Sequence, residues 1–196
     1  MNVPDFRCSC NWLHLESITM SLPHALLTAL VERPGSGSEL ASRFDRSIAF
    51  FWQATHQQIY RELARLEESG WVQSLPAEQG RGRKRAYKIL PAGRKELKRW
   101  VLEIDDPASL REPLMVRLRA DAALGPTGLD KEIARRLAIH AEKLAVYREI
   151  EARDFADGSD SRQKQVQHLV LQAGIMLESL WVEWSKNALK VLERRD

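Results

Sequence analysis

The chain has 196 residues, 44% hydrophobic and 29% charged, enough for one medium domain or two small ones with a buried core, which excludes a wholly disordered chain. Its formal net charge is only +3, yet residues 55–100 carry eleven Lys/Arg against five Asp/Glu, while residues 1–54 carry four against five and residues 101–196 fifteen against seventeen. The positive charge therefore sits in one stretch, which suits a polyanion or an acidic membrane surface, although a solvated basic face explains charge alone equally well.

Residues 1–19 show no period and read as a disordered or loosely packed extension, with Met20 a candidate natural start. Cys8 and Cys10 are too close for a structural disulfide and have no other cysteine to join, so a reducing compartment fits. With His14 they suggest a zinc site, but a convincing fourth ligand is missing, and no metal or cofactor is expected. No run approaches the roughly 20 apolar residues of a membrane helix. The apolar residues 26–31 lack a basic leader and a cleavage site. A cytoplasmic location and no membrane partner are expected.

The spacing predicts a first helix over residues 21–32, with Pro23 near its start and Leu26, Leu27, Leu30 and Val31 as its stripe. Arg33-Pro34-Gly35 ends it. Ser38 is the expected cap of a short helix over residues 39–44, with Leu40 and Phe44 inward. Phe50, Phe51 and Trp52 form a candidate core patch. A third helix carries the strongest local signals: Thr55 and Gln58 match a capping box, and Ser69-Gly70 supplies a stop. Ile59, Leu63 and Leu66 share one face, leaving Gln57, Arg61 and Ala64 opposite, with Tyr60 at the edge.

The period then changes to two. Residues 71–75 and 85–89 are strand candidates around a polar loop, 76–84, that holds Arg81, Arg83 and Lys84. A fourth helix over residues 91–103 has Leu97, Trp100, Val101 and Ile104 as its apolar positions, and residues 105–107 are a natural boundary. Beyond it the pattern is helical: residues 114–124, then 129–155 with Ile133, Leu137, Leu144, Tyr147 and Ile150 on one side, a turn at 156–161, and a long helix over 163–194. The last has a wide apolar stripe, with Val166, Leu169, Ala173, Met176 and Leu180 on one side and Val170, Leu177, Trp181 and Ala188 adjoining. One helix of a small domain rarely needs so broad a stripe, so it is expected to serve both its own protomer and a partner. Val166, Leu169, Ala173, Met176, Leu177, Leu180, Trp181 and Trp184 are the expected dimerisation residues; packing wholly within one protomer is the plainer alternative.

The expected fold class is mainly α with a small β-hairpin. A winged helix-turn-helix covers residues 20–104, and a C-terminal helical dimerisation domain covers 108–196. The third helix fits a major groove, where Gln pairs with adenine and Arg with guanine or phosphate. His56, Gln57, Tyr60, Arg61 and Arg65 on that helix, with Arg81, Arg83, Lys84 and Arg85 of the wing, are the expected contacts to double-stranded DNA. Each has a bland explanation: Arg61 and Arg65 can pair with Glu62 and Glu68, and Tyr60 can pack on its neighbours. A winged helix that binds protein instead, with an incidental basic wing, is the competing function. No enzyme is expected, because the histidines at 14, 24, 56, 140 and 168 are scattered outside any nucleophile or metal motif.

The strings SLPHALLTAL (21–30), GSELASRFDRSIAFFW (37–52), QIYRELARLEESGWV (58–72) and KRAYKIL (84–90) resemble the PadR family of bacterial transcriptional regulators. Tyr87, Gly93, Leu97 and Trp100 follow the family pattern YxLTxxGxxxLxxW, with Leu90 where threonine is usual, so the fourth helix is expected to lack its usual cap. The resemblance implies a homodimer on a palindromic operator, acting mostly as a repressor. Some members release DNA when a small aromatic compound binds, and Trp181 and Trp184 are the candidate effector-binding residues here.

Overall fold

In a computed structural model describing residues 21–43, 54–75, 85–107, 109, 111–156 and 161–193, α1 spans Ser21–Glu32. It buries Leu26, Leu27, Ala29 and Leu30. A two-residue strand, β1 (Gly35–Ser36), precedes α2 (Gly37–Arg43). The cap of α2 is Ser36 rather than Ser38. The Ser36 Oγ accepts from Glu39 N at 3.2 Å, and Ser36 N donates to Glu39 Oε2 at 2.7 Å. The nearest acid three residues on makes this serine, rather than the one two positions later, the reciprocal capping partner. Arg43 then donates to the carbonyls of Ala29 and Arg33, satisfying the C-terminal end of α1.

Helix α3 (His56–Glu68) begins as its sequence predicts: Gln58 N donates to Thr55 Oγ1, and Thr55 N donates to Gln58 Oε1. Ile59, Leu63 and Leu66 are buried against α1 and α2. Gly70, at φ 70°, turns the chain into β2 (Val72–Leu75). Strand β3 (Ala86–Ile89) pairs antiparallel with β2, placing Val72 opposite Ile89 and Leu75 opposite Ala86. The expected hairpin is a three-stranded sheet, because β1 adds to the other edge of β3 with Gly35 opposite Tyr87 and Ser36 opposite Ala86. Tyr87 and Ile89 face inward and Lys88 outward, the alternation of a half-buried strand.

Helix α4 (Pro91–Val101) has no side-chain cap at Leu90, as the departure from threonine implies. Pro91 needs no donor partner, and Leu90 N bonds Trp71 O at 2.8 Å instead. A Cβ at Gly93 would stand 2.4 Å from that same carbonyl oxygen, so only glycine lets α4 lie this close to the strand entry. Leu97 packs on the core, and Trp100 stacks on the buried His24 ring at 4.4 Å. Val101 and Ile104 do not extend the apolar face of α4: they are 66% and 95% exposed, Val101 at the last residue of the helix and Ile104 beyond it.

The chain divides into two compact units, Met1–Asp106 and Pro107–Asp196. In the second, α5 (Pro113–Leu124) is capped by Glu112, which accepts from Leu114 N and from Arg136 of the next helix. Helices α6 (Leu129–Asp154) and α7 (Arg162–Leu192) run antiparallel. His140 meets Glu178 and Glu151 meets His168 along their seam. The inner face of α6 is the expected one, with Ile133 and Tyr147 buried and Leu137, Leu144 and Ile150 half-buried. The inner face of α7 is not. Leu171, Gly174, Glu178, Val182 and Ser185 are buried, while Val166, Leu169, Ala173, Met176, Leu177 and Leu180 are exposed and do not cover α6. Among the described residues no helix is long and apolar enough to cross a membrane. Residues 1–19, Phe44, Phe50, Phe51 and Trp52, the loop 76–84 and residues 157–160 lie outside the described residues.

Candidate nucleic-acid interface

Helix α3 has one buried apolar face, so its remaining residues are displayed by default. His56, Gln57, Tyr60, Arg61, Ala64 and Arg65 are all exposed. Tyr60 is fixed by packing: a Cβ added at Gly37 would stand 2.4 Å from its ring, so the ring lies on the bare backbone at the start of α2. That contact joins α2 to α3 and leaves Tyr60 47% exposed. At the far end, Glu67 accepts from Ser74 N at 2.7 Å, tying α3 to β2. The Ser74 bonds hold the Glu67 carboxyl below its usual range. The helix is thus anchored at its cap, at Gly37 and at the sheet, which is the rigidity a groove-reading element requires.

The two arginines of this face differ. Among the described residues Arg61 makes no ion pair, so its guanidinium is available to a phosphate or a guanine edge. Arg65 donates Nε and Nη2 to Glu62 Oε1 at 3.1 and 2.9 Å, one of the pairings its spacing had suggested. Arg85 is exposed just before β3, and Lys88 on that strand, which the sequence had not singled out, is exposed as well. Arg81, Arg83 and Lys84 lie outside the described residues.

The second unit holds an aromatic cluster. Trp181 stacks on His140 with ring centres 5.5 Å apart, and Trp184 meets Trp181 edge-on, also at 5.5 Å. Both indoles are half-buried. Behind them the buried Glu178 carboxylate lies 2.5 Å from His140 Nδ1, with Lys143 Nζ at 4.0 Å. His140 and Glu178 are 38 positions apart, so no local pattern marked them. His24 beside Glu96 and Trp100, and His168 beside Glu151 and Phe155, repeat the same grouping. His24, His140 and His168 are therefore seam residues between helices, whereas His56 is exposed at the start of α3.

Residues 26–99 match the PadR-like family of transcriptional regulators, and residues 110–193 match the C-terminal domain of virulence activator alpha. A probable transcriptional regulator of Mycobacterium tuberculosis is 38% identical over 188 residues, covering 90% of this chain and all of that protein. The Vibrio cholerae virulence activator AphA superimposes with a TM-score of 0.76 at 29% identity, over 88% of this chain and 98% of AphA. Bacillus subtilis PadR, a negative transcriptional regulator solved with operator DNA, gives 0.77 at 25% identity, over 88% of this chain and 97% of PadR. The same PadR has been solved with p-coumaric acid, at 24% identity and a TM-score of 0.72, over 88% and 99%.

Proposed function

The chain belongs to the PadR-like family of transcriptional regulators, and from that membership we propose that it binds a palindromic operator as a cytoplasmic homodimer and represses the genes it controls. The observation that carries DNA binding is the capped, three-point-anchored α3 with a fully buried inner face and, on the outer one beside Gln57, an Arg61 that makes no ion pair among the described residues. Gln57 and Arg61 read base edges, with His56 and Tyr60 beside them. Arg81, Arg83, Lys84 and Arg85 hold phosphates through the wing. Two copies joined through the exposed α7 stripe would set half-sites about one helical turn apart. Repression rather than activation is supported by the negative regulator PadR, while AphA is an activator on a similar fold. A small aromatic effector lodged against Trp181 and Trp184 would relieve it, as the p-coumaric acid complex of PadR suggests by analogy.

The test is a band shift on the DNA upstream of the protein's own gene against a random duplex. If two protomers neutralise about six to ten phosphates, affinity falls on the order of a thousandfold or more between about 50 and 200 mM salt. Arg61→Ala reduces the preference for operator, whereas Arg83→Ala weakens both duplexes alike. Salt-independent binding, or equal loss on both duplexes for Arg61→Ala, refutes the assignment. A reporter gene that is silenced rather than induced fixes the sign of regulation.

A further inference from the structure

Along α3, taking Gln57 as the origin, Arg61 projects at about 40°, Arg65 at about 80° and Glu62 at about 140° around the axis. Glu62 therefore stands at the border between the groove-facing side and the core, and its side chain is 15% exposed against 64% for Arg65. From there its Oε1 receives two of the five Arg65 donors. The bonds turn the guanidinium away from Gln57 and Arg61 and set a carboxylate against its charge. Nothing does this to Arg61 among the described residues.

A free arginine on the rim of a recognition helix adds a phosphate contact to every sequence. One such contact changes the salt slope by about 0.9 and carries no base information. We propose that Glu62 is a positioning residue that restrains Arg65, lowering sequence-independent affinity so that Gln57 and Arg61 determine which DNA is held. The proposal rests on the DNA-binding reading above and goes beyond it by assigning a role to a residue that touches no DNA itself.

The experiment measures binding to a random-sequence duplex of about 30 base pairs, long enough for two half-sites, across a salt series. Glu62→Gln keeps the side-chain shape but removes the charge. It tightens random-duplex binding about fivefold and steepens the logarithmic salt slope by about one per protomer. In an Arg65→Ala background the same substitution brings no gain, because there is no guanidinium left to release. Should Glu62→Gln unfold the helix, as a thermal melt would reveal, the decision passes to the exposed arginines. Arg65→Ala must then cost less affinity than Arg61→Ala, and equal losses overturn the proposal. A folded Glu62→Gln that binds as the parent does, binds more weakly, or tightens equally without Arg65 also overturns it. A parent protein that binds neither operator nor random duplex defeats the DNA-binding reading itself.

Discussion

In the first unit Leu26, Leu27, Leu30, Leu40, Ile59, Leu63 and Leu66 are each no more than 1% exposed, and they form one cluster with Val72, Tyr87 and Ile89. In the second, the buried hydrophobics among the described residues are Leu114, Ile133, Tyr147, Leu171 and Val182, and the polar Asp121, Glu178 and Ser185 are buried among the same helices. Of the sixteen exposed large hydrophobics among the described residues, eleven belong to this second unit. A unit that buries its apolar surface internally can hold a rigid reading helix. A pair of long helices joined along a narrow, partly polar seam leaves a stripe whose burial requires another surface. The contrast fits the function proposed above, with specificity in one half of the chain and assembly in the other.

The largest expected effect probes the self-sufficient half. Leu63→Ala empties a fully buried position under α3 and should cost about 2–5 kcal/mol, read as a fall in the denaturant midpoint. A loss below about 1 kcal/mol would mean that the core around α3 is looser than its burial implies. Next comes the dependent half. Met176 and Leu180 are 72% and 64% exposed, so Met176→Asp with Leu180→Asp should hardly change folding within a protomer. In a dimer the pair would bury unpaired charge, shifting sedimentation from dimer to monomer and weakening operator binding about a hundredfold or more. A double variant that stays dimeric places the interface elsewhere.

The smallest effect tests how little the first unit relies on its polar seam. The hydrogen bond from Arg99, with further help from His24, holds the Glu96 carboxyl down to about 2, against 4.5 ordinarily. The ionised pair therefore stabilises the fold fully above the unfolded value, and its contribution vanishes as pH falls from about 4.5 towards 2. Arg99 is 53% exposed, so screening leaves the pair a smaller contribution than the buried Leu63 makes. Glu96→Gln should be slightly less stable than the parent at neutral pH, and the gap should close in acid. A gap of the same size at pH 3 and pH 7 would show that Glu96 acts through packing instead.

Much of the first unit was legible because its signals are local. The Thr55–Gln58 box, the Ile59, Leu63 and Leu66 face and the Ser69-Gly70 stop all lie within one helix, and one short stretch of chain suffices to form them. The charge block and the outer face of α3 belong to the same stretch, so the candidate interface was visible with them. Where the partner is distant, the same reasoning failed. Strand β1 consists of Gly35 and Ser36, whose backbone pairs with β3 some fifty positions later, and backbone pairing leaves no mark on side-chain pattern. Lys88 went unremarked because its outward turn follows from the pairing of β3.

The amino-acid order by itself determined the order of the helices and of the β2–β3 pair, the α3 cap and the displayed Gln57 and Arg61, since helix and strand periods and capping bonds are satisfied within a few residues. Only the tertiary structure decided which side of α7 turns inward. A broad apolar stripe is compatible with several rotations of the helix. The His140–Glu178 contact and the burial of Gly174 accompany the one adopted, leaving Leu169, Met176 and Leu180 outside. Arg65 shows the same limit on a smaller scale: its spacing allowed a partner on α3 or a free charge, and a half-buried carboxylate at the edge of the core settled it.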